Sequence, residues 1–250
     1  MRPSGRADAY LICATPRTGS SLLCGLLESA GVAGHPESYF RRPDEQSWAG
    51  RWGITRPPDG RFSPASYVRA ARRAGRTPNG VFAARIMWGS MTELTGKLEM
   101  IHPDLAGADL ALLNQAFGVI RFVYLWREDV LAQAVSWLRA EQTGVWFQTI
   151  QSERARPAGE PHFDLDEVQR LVHLIGAHNA AWREWFDSAG IEPHPVRYAE
   201  LAADPAGVAR DVLSFLGLEL PAGREIRAQH ERLADGLNAH WIQRYRAEAG

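Results

Sequence analysis

The chain has 250 residues, of which 45% are hydrophobic, and a formal net charge of −1. That suits one large domain spanning 1–250 with an ample core. It gives no global field to attract nucleic acid or an anionic membrane. The opening MRPSGRADAY lacks an apolar core of signal-peptide length, and no segment approaches the ~18 apolar residues of a membrane span. A cytoplasmic protein with no integral membrane segment is therefore expected.

The most informative stretch comes first. Residues 9–28, AYLICATPRTGSSLLCGLLE, predict a strand over Ala9–Ala14, a loop of small residues, and a helix over Ser20–Ala30. Such a loop can point successive backbone N–H groups at one spot, where the helix N-terminus adds partial positive charge, and a phosphate or sulfate fits there. Gly19 gives backbone freedom, Ser20 and Ser21 give hydroxyl donors, and Arg17 gives a planar cation. The nucleotide-triphosphatase loop G-x-x-x-x-G-K-[ST] has lysine directly before its hydroxyl residue. Here Ser20 takes that place, and the one lysine of the chain is Lys97. The alternative is an ordinary strand–helix turn. Cys13 and Cys24 fall on apolar faces of this unit and read as buried small hydrophobes.

Residues 41–63 are rich in Arg, Pro, Gly and Trp without a sustained period, which predicts a long loop or lid. A helix follows over Pro64–Ala74, a strand over Val81–Ile86, and a helix over Gly89–Ile101. The run Val119–Leu125 is apolar almost throughout, as a strand buried on both faces is; Arg121 departs from the pattern and suits the strand's beginning. Then come a helix over Asp129–Gln142, an irregular segment at 151–164, a helix over Asp166–Ala189 and a strand over Pro193–Tyr198. Val168, Leu171, Val172, Ile175, Trp182 and Phe186 line one face of that long helix as core. The alternation predicts an α/β fold with a central parallel sheet flanked by helices. No zinc or calcium motif occurs, and His173 and His178 lack the spacing of a metal pair. No metal is expected.

A second anion site is suggested after the strand at 119–125. Arg127 falls at its carboxyl end, where open α/β sheets bind ligands, and Ser136 lies about two turns into the next helix. Simple alternatives are an ion pair of Arg127 with Glu128 or Asp129, and Ser136 as helix filling. Together with the lysine-free loop, the pair suits a nucleotide carrying phosphate at both its 5′ and 3′ ends.

TPRTGSS together with Arg127 and Ser136 resembles the two nucleotide-binding signatures of sulfotransferases that use 3′-phosphoadenosine 5′-phosphosulfate. The closer likeness is to the bacterial trehalose 2-sulfotransferase (LPS sulfotransferase-like) family. It extends through AYLICATPRTGSSLL, GVAGHPESYF, GRTPNGVFAARIMW, WREDVLAQAVSWLRAEQTGVW and HWIQRYR. The resemblance implies a phosphate-loop-like three-layer fold, metal-free sulfuryl transfer to a hydroxyl, and a homodimer. It implies that Pro16, Arg17, Thr18, Gly19, Ser20 and Ser21 grip the 5′-phosphosulfate and that Arg127 and Ser136 hold the 3′-phosphate. A C-terminal piece near Arg232 and Trp241 would close over the nucleotide. The family's general-base glutamate aligns with Ser38, with Glu37 beside it, and Arg85 stands where the family has lysine.

Sulfuryl transfer needs donor and acceptor held in line and charge stabilised on the transferred oxygens. Arg17 and the amides of residues 18–21 are placed for that. The acceptor hydroxyl needs a base, for which Glu37 is the first candidate and His35 the second. Tyr39, Phe40, Trp48 and Trp52, with Arg85 and Trp88, are the candidate acceptor wall, suited to a sugar, a glycolipid or a small metabolite; each ring could equally be packing. The rival readings are an ATP-dependent phosphotransferase and a catalytically inactive nucleotide-binding relative.

Overall fold

The chain's computed structural model describes residues 5–55, 62–146, 159–228 and 236–249. Its centre is a four-stranded sheet of β1 (Ala9–Ala14), β2 (Phe82–Met87), β3 (Ile120–Trp126) and β4 (His194–Arg197), in the order β2-β1-β3-β4. Every pairing is parallel. The strands lie within about a residue or two of their expected places. Arg121 is the second residue of β3, buried, and its guanidinium donates to the carbonyls of Phe215 and Gly5. It closes the amino-end edge of the sheet.

Ten α-helices surround the strands among the described residues: α1 (Ser20–Ser29), α2 (Glu45–Arg51), α3 (Pro64–Ala74), α4 (Trp88–Ile101), α5 (Asp109–Phe117), α6 (Val130–Thr143), α7 (Leu165–Ser188), α8 (Tyr198–Ala203), α9 (Pro205–Leu216) and α10 (Gly236–Glu248). None of the described helices is long and apolar enough to cross a membrane. Side chains alternate across a strand, and β1 shows the result. Tyr10, Ile12 and Ala14 pack under α1 and α9, whereas Ala9, Leu11 and Cys13 pack with rings from β2, β3, α3, α5 and α7. This is the expected three-layer α/β arrangement. A third cluster joins α6, α7 and α10 around Trp137, Leu171 and Trp241.

Residues 41–63 depart from the expected loop. Arg42–Asp44 form a 3-10 turn and Glu45–Arg51 form α2; residues 56–61 lie outside the described ones. Trp48 and Trp52 stack at 5.5 Å, and Tyr39 and Tyr67 meet their edges and faces at 5.0 and 5.1 Å. The Tyr67 hydroxyl donates to the Tyr39 carbonyl at 2.6 Å. Lys97 reaches Glu45 at 2.9 Å, tying α2 onto α4. A short amphipathic turn carrying two tryptophans folds because those rings have a core to enter.

Strand order determines where a ligand can sit. The chain runs from β1 to β2 on one side and then to β3 on the other, so the connections leaving β1 and β3 diverge and open a crevice at their carboxyl ends. The fully buried Trp182 supports that edge by donating its indole N–H to the Ala14 carbonyl at 3.0 Å. Trp182→Ala is expected to lose roughly 3–5 kcal/mol of stability, measured by urea unfolding.

Candidate active site

The turn from β1 to α1 is built around two left-handed residues. Gly19, the N-cap of α1, has φ 84°. Arg17 has φ 67° and is the one non-glycine residue of positive φ among those described; that conformation costs an L-residue about 1–2 kcal/mol. Strain of this kind persists where surrounding contacts over-determine it, and here they are visible. The Thr18 hydroxyl donates to the Thr15 carbonyl at 2.9 Å. The Gln133 amide of α6 donates to Thr15 Oγ1 at 2.8 Å and to the Pro16 carbonyl at 2.7 Å.

No side chain caps α1, so its first-turn N–H groups face the loop. By contrast α6, α7 and α9 are capped by Asp129, Asp164 and Asp204. An amino end without such a cap can receive an external anion, and that of α1 lies beside the loop and its arginine. At α6 a carboxylate already fills that role, so a second anion near β3 would have to be held by side chains.

Cations gather on this turn from two directions. From β2, Arg85 donates through Nε to Ser38 Oγ at 2.9 Å and through Nη1 to Ser21 Oγ at 2.8 Å, with Ser20 Oγ at 3.5 Å. From the loop, Arg17 donates through Nε to Ser136 Oγ at 3.0 Å and through Nη1 to the Trp146 carbonyl. Burial, and then repulsion from Arg127 and Arg139, lower the Arg17 pKa to about 10. Arg17 is still a cation at neutral pH, in a place where positive charges already crowd. An anion would relieve that crowding.

The two expected anion sites therefore meet: Arg17 of the first bonds Ser136 of the second. Arg127 lies 4.6 Å above the Tyr198 ring. Of its sequence neighbours, Glu128 lies 3.7 Å from Arg197 and Asp129 caps α6. Tyr198 also crowds Gly19: a Cβ built there would come within 3.0 Å of the ring. Tyr198 thus touches both sites, and Gln133 braces the loop. Neither residue is a candidate from the sequence alone. An aromatic directly after a strand and a glutamine one turn before Ser136 are weak signals without the fold.

The expected bases divide. Glu37 pairs beside Ala84 as an isolated bridge, and its carbonyl accepts from the Arg85 N–H at 3.0 Å. Its side chain is exposed by surface area, yet enough protein surrounds it that desolvation raises its carboxyl pKa, with Arg85 opposing. Ser38, at the aligned position of the family glutamate, is the residue whose side chain meets Arg85. His35 Nδ1 lies 2.9 Å from Glu28 Oε1 of α1. Cys24, also on α1, is buried, and desolvation pushes its thiol up to about 12, so it is not a thiolate nucleophile.

The aromatic candidates separate too. Tyr39 and Phe40 are each 2% exposed and belong to the core, so their rings are placed in packing. Trp48 and Trp52 are half-buried against the same core. Trp88 opens α4 at the carboxyl end of β2 and meets Trp182 edge-on at 4.9 Å, on the ligand edge of the sheet. Trp241 is buried against α6 and α7, and Arg232 lies outside the described residues. No three His, Cys, Asp or Glu side chains converge to hold a metal among the described residues.

Residues 9–248 match the family model described as Stf0 sulphotransferase. The chain belongs to that family and is a sulfotransferase. A trehalose 2-sulfotransferase of Mycobacterium tuberculosis (strain Erdman) is 31% identical over 263 residues, covering 96% of this chain and 95% of that protein. Another, of Mycolicibacterium smegmatis, is 30% identical over 271 residues, covering 98% and 97%. A crystal structure of a sulfotransferase from Alicyclobacillus acidocaldarius has 14% identity and a TM-score of 0.49 over 98% of this chain and 92% of its own; membership rests on the sequence matches instead.

Gly19→Ala tests the turn. The left-handed conformation and the Tyr198 contact together predict a loss of about 1–2 kcal/mol in stability, read from chemical denaturation, and a loss of sulfuryl transfer.

Proposed function

We propose that this sulfotransferase moves a sulfuryl group from 3′-phosphoadenosine 5′-phosphosulfate to a hydroxyl of a carbohydrate or small metabolite. The observation that carries the reading is the bracket of Arg17 and Arg85 around the uncapped amino end of α1. The names of the relatives support a sugar acceptor, with trehalose the first to test. The lone lysine, Lys97 of α4, pairs with Glu45 of α2 at 2.9 Å, so the loop has none of the lysine chemistry of a nucleotide triphosphatase. The resemblance favours a homodimer, which sedimentation of the purified protein would check.

In this reading the donor supplies an activated sulfuryl group, and the chain supplies position and charge. Pro16, Thr18, Gly19, Ser20 and Ser21 form the cradle for the 5′-phosphosulfate, using the α1 amides and the two hydroxyls. Arg17 and Arg85 stabilise charge on the transferred oxygens and on the departing phosphate. Arg127 and Ser136 take the 3′-phosphate, with Ser136 released from Arg17 as the ligand enters. The acceptor oxygen forms its bond to sulfur as the sulfur–oxygen bond to the 5′-phosphate breaks, and the hydroxyl proton passes to Glu37. Trp88 forms part of the acceptor wall.

A second reading of the base follows from the pairing of His35 with Glu28. A carboxylate on Nδ1 leaves Nε2 able to accept a proton, which is the arrangement of an oriented base. Ser38, not Glu37, makes the side-chain contact with Arg85, which favours considering His35.

Transfer from radiolabelled donor to trehalose and a panel of sugars tests the function. Calorimetry with adenosine 3′,5′-bisphosphate against ATP–magnesium tests the donor; binding of ATP–magnesium alone would return the phosphotransferase reading. Arg17→Ala is expected to abolish transfer, while Arg127→Ala chiefly weakens bisphosphate binding, by about tenfold or more for a lost charged contact. Unchanged affinity in Arg127→Ala removes that residue from the 3′ site. Glu37→Gln is expected to slow transfer by ~10²–10⁴-fold. Because the Glu37 pKa is raised, the active carboxylate appears only as pH climbs through a value above that of an ordinary glutamate. The wild-type rate should therefore rise along an acid limb that Glu37→Gln lacks. A limb that survives in Glu37→Gln and disappears in His35→Ala moves the role to His35.

A further inference from the structure

Gln133 is wholly buried on α6, one turn before Ser136. A glutamine amide has two hydrogens, and both are used on the phosphate loop: one on Thr15 Oγ1 at 2.8 Å, one on the Pro16 carbonyl at 2.7 Å. The Pro16 carbonyl fixes the amide's orientation, since a flipped side chain would set oxygen against oxygen. Gln133 Oε1 has no hydrogen-bond partner. The side chain is thus held through its donors alone, with an acceptor left unsatisfied in the interior, which is costly for a residue that only fills space.

The Pro16 carbonyl belongs to the same peptide plane as the Arg17 nitrogen. Holding that carbonyl holds the plane about which Arg17 takes its positive φ. Proline contributes no N–H to fix the turn from its other side. One turn along the helix, Ser136 receives the Arg17 side chain. Gln133 and Ser136 are two rungs between α6 and the loop, one on its backbone and one on its guanidinium. Only the second occupies the proposed 3′-phosphate position.

We propose that Gln133 is a positioning residue for the donor: it locks the Pro16–Arg17 peptide, aims the Arg17 guanidinium and, through that guanidinium alone, sets the spacing between the 5′ and 3′ anion subsites. It touches neither phosphate. The rung behind the loop stays closed while Ser136 exchanges Arg17 for ligand, so the spacing is the same before and after the donor enters. The proposal rests on the donor reading given above.

The test is calorimetric affinity for adenosine 3′,5′-bisphosphate in the full-length protein, with thermal melting as the check on folding. Gln133→Leu keeps the volume and removes both donors; Gln133→Asn keeps the amide but is too short to reach both acceptors. Each is expected to weaken binding about tenfold, the scale of one lost hydrogen bond to each of two partners shared through one amide. A role in general packing would weaken binding in any background. The positioning role predicts otherwise in Arg17→Gly, where glycine takes positive φ unaided and the guanidinium is gone: there Gln133→Leu should change affinity less than twofold. Equal losses in both backgrounds overturn the proposal. So does a folded Gln133→Leu with wild-type affinity. If Gln133→Leu does not fold, Gln133→Asn decides by the same two comparisons. Failure of the wild-type protein to bind the bisphosphate overturns the donor reading instead, and is recognised because it appears without any substitution.

Discussion

A helix that begins without a side-chain cap, directly after a turn containing two left-handed residues, is the constraint on which the rest depends. The first amides of α1 have no internal partners, and the loop that exposes them is held in a conformation that L-residues avoid. Everything nearby answers that condition. Thr18 closes the loop on itself, Gln133 and Trp182 brace it from α6 and α7, and Tyr198 fills the space that only glycine at 19 leaves open. The sheet order then places this turn at the crevice between β1 and β3, where side chains from both strands' connections can reach it.

The electrostatics follow from that placement. Arg17, Arg85 and Arg127 come from the loop, β2 and the end of β3, elements far apart in sequence and adjacent at one edge of the sheet. Burial first, and then the positive charge of Arg127, lowers the Arg17 pKa to about 10. Such a site is poised for a multiply charged anion, because neutralising the cluster removes repulsion as well as adding attraction. The carboxyl end of β2 contributes the flat surface of Trp88, so the proposed anion grip and acceptor wall share a rim.

Much of this was legible before any coordinates. The strands and the five predicted helices stand close to their expected bounds, because long apolar runs and turns such as TPRTGSS carry strong local signals. The phosphate-loop reading needed only the order of small residues and one arginine. Other elements were hidden. The helix over Pro205–Leu216 is not among the predicted ones despite its Asp204 cap and Pro205 start, since a short strand and a brief α8 precede it. Residues 41–63 looked aperiodic because α2 is a mere two turns, stabilised by rings that enter the core. Tyr39 and Phe40 sit beside Glu37 in sequence, and nothing local distinguishes rings that pack inward from rings that line a pocket. Gln133 and Tyr198 were invisible for a related reason: their importance lies in what they touch across more than a hundred residues in the one case and nearly two hundred in the other.

The unlike construction of the two anion sites bears on how this scaffold can diverge. Main-chain amides at the head of α1 cannot be replaced by substitution, so under the proposed donor reading recognition of the sulfated end is inherited with the fold itself. At α6 the Asp129 carboxylate already caps the helix through the Ala132 N–H, and the same reading leaves selectivity for the other end of the nucleotide to replaceable side chains. Drift in donor preference is therefore open at one end of the crevice and closed at the other.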